Sequence, residues 1–311
     1  MSIWFWIILA AVILLGVLPL FFLPGVLYSV LLVRIPKSKW KRECSMPDDE
    51  EIVRMFDTGM AWAAENSEYK HEVETSNKKI KLCGEYFDFG YDRAAIILAG
   101  RTETCLYSYY FAKPYKEMGY NILVVDNRAH GLSGGTFATL GKKESEDLLC
   151  WGKYLNEKFG VKSIVVHGIC IGSAAALYAM ISKDCPEYFT GMVAEGMFIH
   201  FYDSFKNHIK EMGHRNFPMT YIVMAYIRVC AGVNVVTDGP IYRIDKMEKP
   251  ILMMQSMEDK FSLPHYAEVL YNKCSSKNKK LVYFDKGAHS HIRINAEEKY
   301  DETIKEFLNT I

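Results

Sequence analysis

The chain has 311 residues, of which 50% are hydrophobic and 24% are charged, and its formal net charge is zero. This length and hydrophobic content allow a substantial core, and they favour one large domain with an anchor over two balanced domains. The balanced charge, without a basic arm or an acidic tail, argues against nucleic acid as a partner.

The eight cysteines are scattered along the chain, and no two form a Cys-x-x-Cys pair. This spacing argues against a zinc site and against a dense disulfide framework. The glycine-rich stretch Gly131–Gly135 lacks the glycine order of a dinucleotide-binding fingerprint. We therefore expect no metal and no cofactor, and free thiols in a reducing compartment.

Residues 1–33 form the first predicted unit, which carries no charged side chain. This apolar run exceeds the ~20 residues that a helix needs to span the core of a bilayer. Pro24-Gly25 is expected to end or kink the helix. No basic region precedes the run and no small-x-small site follows it, which argues against a cleaved signal peptide. We expect a single-pass membrane anchor that is retained.

Residues 34–67 are predicted to form a basic linker and a lead-in helix. The basic residues that directly follow the apolar run are Arg34, Lys37, Lys39, Lys41 and Arg42. No lysine or arginine precedes the run, so the positive-inside rule places the remainder of the chain on the cytoplasmic face. A domain on the outer face is the alternative. Apolar residues between Pro47 and Ser67 recur at helical spacing.

Residues 68–311 alternate between short apolar runs and amphipathic segments. Strands are predicted at 69–75, 79–89, 94–98, 121–126, 163–169, 191–195, 251–255 and 280–284. Helices are predicted at 104–118, 145–159, 171–182, 265–272 and 297–308. This alternation is typical of a mostly parallel sheet with helices on both faces. The longer interval 198–249 interrupts the pattern and is expected to form a small cap over the site.

The most informative stretch is Gly168-Ile169-Cys170-Ile171-Gly172, which follows a β-branched run and precedes a helical segment. Strand, tight turn and helix are the context of a nucleophile elbow, in which the central side chain is exposed at the sheet edge. Gly168 and Gly172 allow the strand and the helix to approach closely. Cys170 stands where such elbows usually carry serine. The alternative interpretation of Cys170 is a buried structural cysteine.

Two further motifs accompany the elbow. Gly119-Tyr120-Asn121 begins a predicted strand, and the loop 126–133 reads Asp-Asn-Arg-Ala-His-Gly-Leu-Ser. With the elbow about 40 residues after this loop, the chain resembles the α/β-hydrolase superfamily. It is most similar in pattern to bacterial membrane-anchored α/β-hydrolases of the esterase or acylhydrolase kind. The resemblance implies an α/β-hydrolase fold over essentially the whole chain after residue 80.

The resemblance also implies the partners of Cys170. Asp259 matches the family's acid in the loop after the next-to-last strand, and His289 matches its histidine after the last strand. Nucleophile, acid and histidine follow one another in the order of this fold. The alternatives are Glu195 or Glu258 for the acid, and His291 or His265 for the histidine.

An oxyanion hole is implied at the backbone N–H groups of Ile171 and Arg101. The His-Gly that usually precedes the second donor reads Ala99-Gly100 in this chain. Polar residues near the motifs that are expected to have structural rather than chemical roles are Asp126, Arg128, His130 and His167.

These residues predict an acyl hydrolase that cleaves an ester or a thioester through a Cys–His–Asp triad and a Cys170 acyl-enzyme. The anchor favours a small-molecule or lipid-like acyl substrate. Acyl transfer is the first alternative, because a thioester intermediate is susceptible to amines and thiols. A non-catalytic binding protein with this fold is the second, although such a protein would need neither Asp259 nor His289. The sequence carries no signal for the oligomeric state.

Overall fold

The computed structural model describes residues 2–35 and 39–311; Lys37 of the predicted basic flank lies outside them. In this part of the chain eight strands form one sheet, in the order β1-β2-β4-β3-β5-β6-β7-β8. The strands are β1 Lys70–Asn77, β2 Ile80–Phe87, β3 Arg93–Leu98, β4 Asn121–Val125, β5 Ser163–Ile169, β6 Phe189–Glu195, β7 Ile251–Ser256 and β8 Lys279–Phe284. Strand β2 is antiparallel to β1 and β4, and the other pairs are parallel. The predicted fold class, an α/β-hydrolase fold, is confirmed.

The helices over the described residues are α1 Ile3–Leu32, α2 Glu50–Glu65, α3 Cys105–Ser108, α4 Lys113–Glu117, α5 Glu144–Phe159, α6 Ile171–Met180, α7 Phe201–Glu211, α8 Met219–Tyr226, α9 Pro264–Lys273, α10 Ile292–Asn295 and α11 Glu297–Leu308. They cover both faces of the sheet, so two hydrophobic layers form. The central strand β5 is buried along nearly its whole length, as its β-branched run predicts.

The helix predicted at 104–118 is broken into α3, a 3₁₀ turn at Tyr109–Phe111, and α4. Pro114 lies in the first turn of α4, where its missing N–H costs little. A helix continued from α3 would need the N–H of residue 114 as a donor, which proline lacks, and this explains a break at this point.

Of the predicted end or kink at Pro24-Gly25, the end is wrong, because helix α1 continues through these residues to Leu32. The cap residue Tyr226 packs against this point: a Cβ on Gly25 would lie 3.2 Å from its ring, and its hydroxyl donates to the carbonyl of Phe21. A neighbouring element therefore supports the helix where proline weakens it. Residues from 3 to 23 are exposed and apolar, and the helix is long and apolar enough to cross a membrane.

The last part of α1 is joined tightly to the rest of the protein. Tyr28 and Leu32 are buried in the larger hydrophobic layer. Val33 pairs with Phe137 in an isolated bridge, and the Arg34 guanidinium donates to two carbonyls of the loop 126–136. The sheet domain is thus held in one orientation relative to α1.

The interval 198–249 lies between β6 and β7 and contains α7 and α8. A π-helical segment at Ile227–Ala231 extends α8. Helix α8 packs beside the end of α1, where the rings of Tyr28 and Tyr226 stack with centroids 5.9 Å apart. Phe198, Phe201 and Phe205 are buried on the inner side of this interval. The rings of these three phenylalanines line a cavity together with Cys170, at the carboxyl edge of the sheet.

Candidate active site

Cys170 occupies the turn between β5 and α6 with φ 54° and ψ −109°. A non-glycine residue rarely adopts a positive φ, and such strain is typical of functional positions. The flanking glycines are required by close backbone contacts. A Cβ on Gly168 would lie 2.3 Å from the carbonyl carbon of Gly172, and a Cβ on Gly172 would lie 2.4 Å from the carbonyl oxygen of Leu98. The Cys170 side chain is therefore held at the sheet edge.

Asp259 and His289 come to the same edge from the loops after β7 and β8. The His289 Nδ1 atom lies 2.6 Å from Asp259 Oδ2. The other Asp259 oxygen accepts from the backbone N–H groups of Phe261 and Ser262, each at 2.8 Å. On its other side, His289 lines the same cavity as the Cys170 thiol, and each of these two groups shifts the pKa of the other. The structure thus brings the three residues into one line.

The charges within this line favour an ionised thiol. Burial by itself would raise the pKa of Cys170, but the adjacent His289 and then Arg101 lower it below its ordinary value. Burial likewise opposes the charged form of His289, yet Asp259 and Cys170 raise its pKa well above the ordinary value. The shifts have opposite signs, as expected for a thiolate beside an imidazolium.

The two backbone N–H groups expected to form the oxyanion hole have no acceptor within the described ranges. Ile171 begins α6 and Arg101 follows β3, and in the described ranges neither N–H donates to a backbone or side-chain acceptor. Gly100 lies against the nucleophile, because a Cβ on it would sit 3.6 Å from the Cys170 Cβ. The placement suits a negative charge that develops beside Cys170.

The alternative acids occupy other places. Glu195 is buried at the end of β6, where it accepts from the Tyr300 hydroxyl at 2.5 Å rather than contacting His289. Burial raises the pKa of Glu195 to about 7. Glu258 accepts from the N–H of Gly287 at 3.0 Å and so holds the loop that carries His289.

The alternative histidines also lie elsewhere. The His291 Nδ1 atom is 2.7 Å from the carbonyl oxygen of His289, and its Nε2 faces Asp49 at 3.7 Å. His265 lies in the first turn of α9, against the ring of Tyr266.

The loop residues expected to have structural roles form such contacts. Asp126 accepts from the backbone N–H groups of Cys105 and Leu132, and Arg128 forms a pair of hydrogen bonds with Asp147. Sequence reasoning missed Arg42, whose guanidinium pairs with Asp126 at 2.9 Å. Its position in a basic flank suggested only membrane orientation.

Two other histidines, His130 and His167, are buried and packed in the protein interior. His130 stacks on Trp40 with ring centroids 4.4 Å apart, and burial lowers its pKa to about 4. His167 is fully buried on the elbow strand β5 and hydrogen-bonded to the Tyr300 hydroxyl at 3.2 Å, and burial lowers its pKa to about 3. Both are therefore neutral and packed.

A cavity of about 400 Å³ opens above Cys170 and His289. The apolar side chains that line it are Leu31, Met46, Ile52, Phe198, Phe201, Phe205 and Phe261. Sequence reasoning placed a cap here but did not predict that α1 supplies part of the wall through Leu31. The charged groups at the cavity include Arg101 and Glu103. Over residues 2–35 and 39–311, no three His, Cys, Asp or Glu side chains group as metal ligands.

A sequence model of the prolyl oligopeptidase family matches residues 107–311, which include Cys170, Asp259 and His289. The chain belongs to the prolyl oligopeptidase family. Together with the fold, this membership makes it a hydrolase of the α/β-hydrolase superfamily.

Two curated relatives are similar over more than half of the chain. The uncharacterized protein YqkD of Bacillus subtilis is 27% identical over 220 residues, which are 70% of this chain and 71% of that protein. The uncharacterized membrane protein YNL320W of Saccharomyces cerevisiae is 23% identical over 194 residues, 62% of each chain.

Solved structures share the fold. The Pyrococcus furiosus esterase Pf2001 superposes with a TM-score of 0.66 at 23% identity, covering 80% of this chain and 93% of that one. The α/β-hydrolase GrgF from Penicillium sp. sh18 superposes with a TM-score of 0.61 at 15% identity, covering 78% and 98%. At these identities the likeness concerns the fold alone.

Proposed function

We propose that the chain is a hydrolase of carboxylic esters or thioesters that acts through Cys170, His289 and Asp259. The observation that carries the proposal is the position of His289, which lies between the thiol of Cys170 and the carboxylate of Asp259 at the floor of an apolar cavity. A nucleophile, a base and an orienting acid in hydrogen-bond contact are the requirement for covalent catalysis.

In the first half-reaction the Cys170 thiolate attacks the substrate carbonyl, and the negative charge passes to the carbonyl oxygen. The N–H groups of Ile171 and Arg101 stabilise this oxyanion. As the tetrahedral intermediate collapses, the His289 imidazolium gives its proton to the leaving alcohol or thiol. A thioester remains on Cys170.

In the second half-reaction neutral His289 takes a proton from water, and the resulting hydroxide attacks the thioester. Collapse of this intermediate releases the carboxylic acid and restores the thiolate beside the imidazolium. Asp259 holds the Nδ1–H of His289 through both steps, so that Nε2 faces the sulfur and the substrate.

The cavity supports an acyl substrate with an apolar chain. Its wall is built mainly from phenylalanines of the cap and from Leu31 of α1. Each methylene group that leaves water for such a wall contributes about 0.8 kcal/mol to binding. A lipid-like acyl group is therefore the substrate class that the wall favours.

We also propose that α1 anchors the protein in a membrane, with the hydrolase domain 68–311 on the cytoplasmic face. Lys39 donates to the carbonyls of Ser29 and Val33 and so places a cation at the C-terminal end of α1. Phe217, Tyr221 and Val229, in or next to α8, are exposed apolar side chains, and α8 packs beside α1. The wall at Leu31 then gives an amphiphilic substrate a short path from the bilayer to Cys170.

Intact-mass spectrometry of the full chain in a mild detergent tests the reaction. With p-nitrophenyl esters and acyl thioesters as substrates, an acyl adduct on Cys170 that clears in water is expected. Cys170→Ala should abolish the adduct, whereas Cys150→Ala, at a half-exposed thiol of α5, should not. An adduct that clears only with added amine or alcohol would replace hydrolysis by acyl transfer. Turnover that survives Cys170→Ala would refute the proposal.

A further inference from the structure

Near Cys170, Arg101 places a guanidinium that forms no ion pair with a carboxylate of the described residues. It directly follows β3 and lines the cavity together with Cys170 and His289. Within the described ranges its guanidinium has no carboxylate at ion-pair distance and makes no hydrogen bond. The one negative group that acts on it is the Cys170 thiolate.

The neighbours of Arg101 do not balance its charge. Glu103 lines the same cavity, but its carboxylate accepts from the Ser45 hydroxyl, and burial raises its pKa to about 7. Burial, followed by the field of Arg101, lowers the pKa of Lys39 to about 8 and that of His208 below its ordinary value, so neither side chain supplies a negative charge to balance Arg101. A cation without a partner in an apolar cavity is costly unless a ligand supplies the counter-charge.

Guanidinium matches one class of ligand. Its planar fork of N–H donors fits the two oxygens of a carboxylate or a phosphate. The turn that carries it is strained, because the next residue, Thr102, is β-branched and has a φ of +74°. Strain of this kind persists where the surrounding structure holds a functional group in place.

We propose that Arg101 binds a carboxylate or phosphate group of the substrate beside the scissile carbonyl. The inference rests on the proposed function, and it narrows the substrate to an anionic amphiphile with its acyl chain against the phenylalanine wall. Formation of the acyl-enzyme removes the thiolate charge from Cys170. The substrate anion then becomes the counter-charge of Arg101 for as long as the thioester lasts.

Alkylation of Cys170 tests the anion site without any turnover. Iodoacetate and iodoacetamide both lose iodide to the thiolate and differ in one charged group. Both rates depend equally on the intrinsic reactivity of the sulfur, so the ratio of the iodoacetate rate to the iodoacetamide rate at Cys170 does not depend on it. In the full chain, Arg101→Gln should lower the iodoacetate-to-iodoacetamide ratio about tenfold, as expected for one charge-assisted contact. Arg101→Lys should lower the ratio at Cys170 by less, because lysine keeps the positive charge. The same ratio at Cys150 should not change in either variant.

Protection of the unmodified protein provides a second measurement that does not depend on a variant. Hexanoate should slow the reaction of Cys170 with iodoacetamide at concentrations where hexanamide does not. An Arg101→Gln ratio equal to that of the wild type, or equal protection by the two probes, would overturn the anion site. If the ratio falls but no acyl adduct ever forms, the anion site stands and the proposed hydrolysis fails.

Discussion

His289→Ala is the perturbation that most directly probes the ion pair at the site. His289 is the largest favourable influence on the Cys170 thiolate, and its removal leaves burial opposed mainly by Arg101. A thiol with an ordinary pKa near ~8.5 is only about 0.3% ionised at pH 6. Because the pKa of Cys170 is lowered, its thiolate persists as the pH falls and is lost only below that lowered pKa.

The expected magnitude follows from these fractions. At pH 6, alkylation of Cys170 by iodoacetamide should be at least about tenfold slower in His289→Ala than in the wild type. At pH 9.5 an ordinary thiol is itself mostly ionised, so the two proteins should differ only a few-fold. The rate of the variant should therefore climb more steeply with pH than the rate of the wild type.

The assay follows loss of the free Cys170 thiol by mass spectrometry after timed quenching, from pH 5.5 to 9.5. His291→Ala is the matched control, because this neighbouring histidine contacts the carbonyl of residue 289 and the Asp49 carboxylate rather than the sulfur. Its pH profile should match the wild type. Superimposable profiles for His289→Ala and the wild type would refute the ion pair, and with it the basis of the triad.

Other predictions concern stability and are measured by denaturant unfolding in detergent. The raised pKa of Glu195 means that the folded protein keeps a proton that the unfolded chain releases, so the stability that this carboxyl contributes should fall by about 3 kcal/mol between pH 4.5 and 7; the difference in stability between the wild type and Glu195→Gln should change by this amount. Gly168→Ala should prevent stable folding, because its Cβ would meet backbone at 2.3 Å; Gly100→Ala, at 3.6 Å from its nearest neighbour, should fold normally. Leu32→Ala should cost about 3 kcal/mol because Leu32 is fully buried, whereas Leu15→Ala, at an 82% exposed position, should cost little; equal effects would mean that α1 does not dock.

The order of strands and helices could be predicted because each element carries its own local signal. The β5 run, the elbow glycines and the amphipathic period of α11 all act over a few residues. The broken helix at 104–118 and the uninterrupted α1 could not be predicted in the same way. In both cases the sequence shows a proline, and its effect depends on what packs beside it: Tyr226 supports α1 at Pro24, whereas Pro114 begins a new helix.

Of the candidate site, the sequence alone determined the identity of Cys170 at the elbow, the order in which an acid and a histidine follow it, and the apolar character of α1. Only the tertiary structure decided which acid contacts His289, because Asp259 and Glu195 differ in their neighbours rather than in their chemistry. It also decided the character of the cavity. The uncompensated charge of Arg101 and the presence of Leu31 in the wall depend on contacts between distant segments, which no local pattern of residues records.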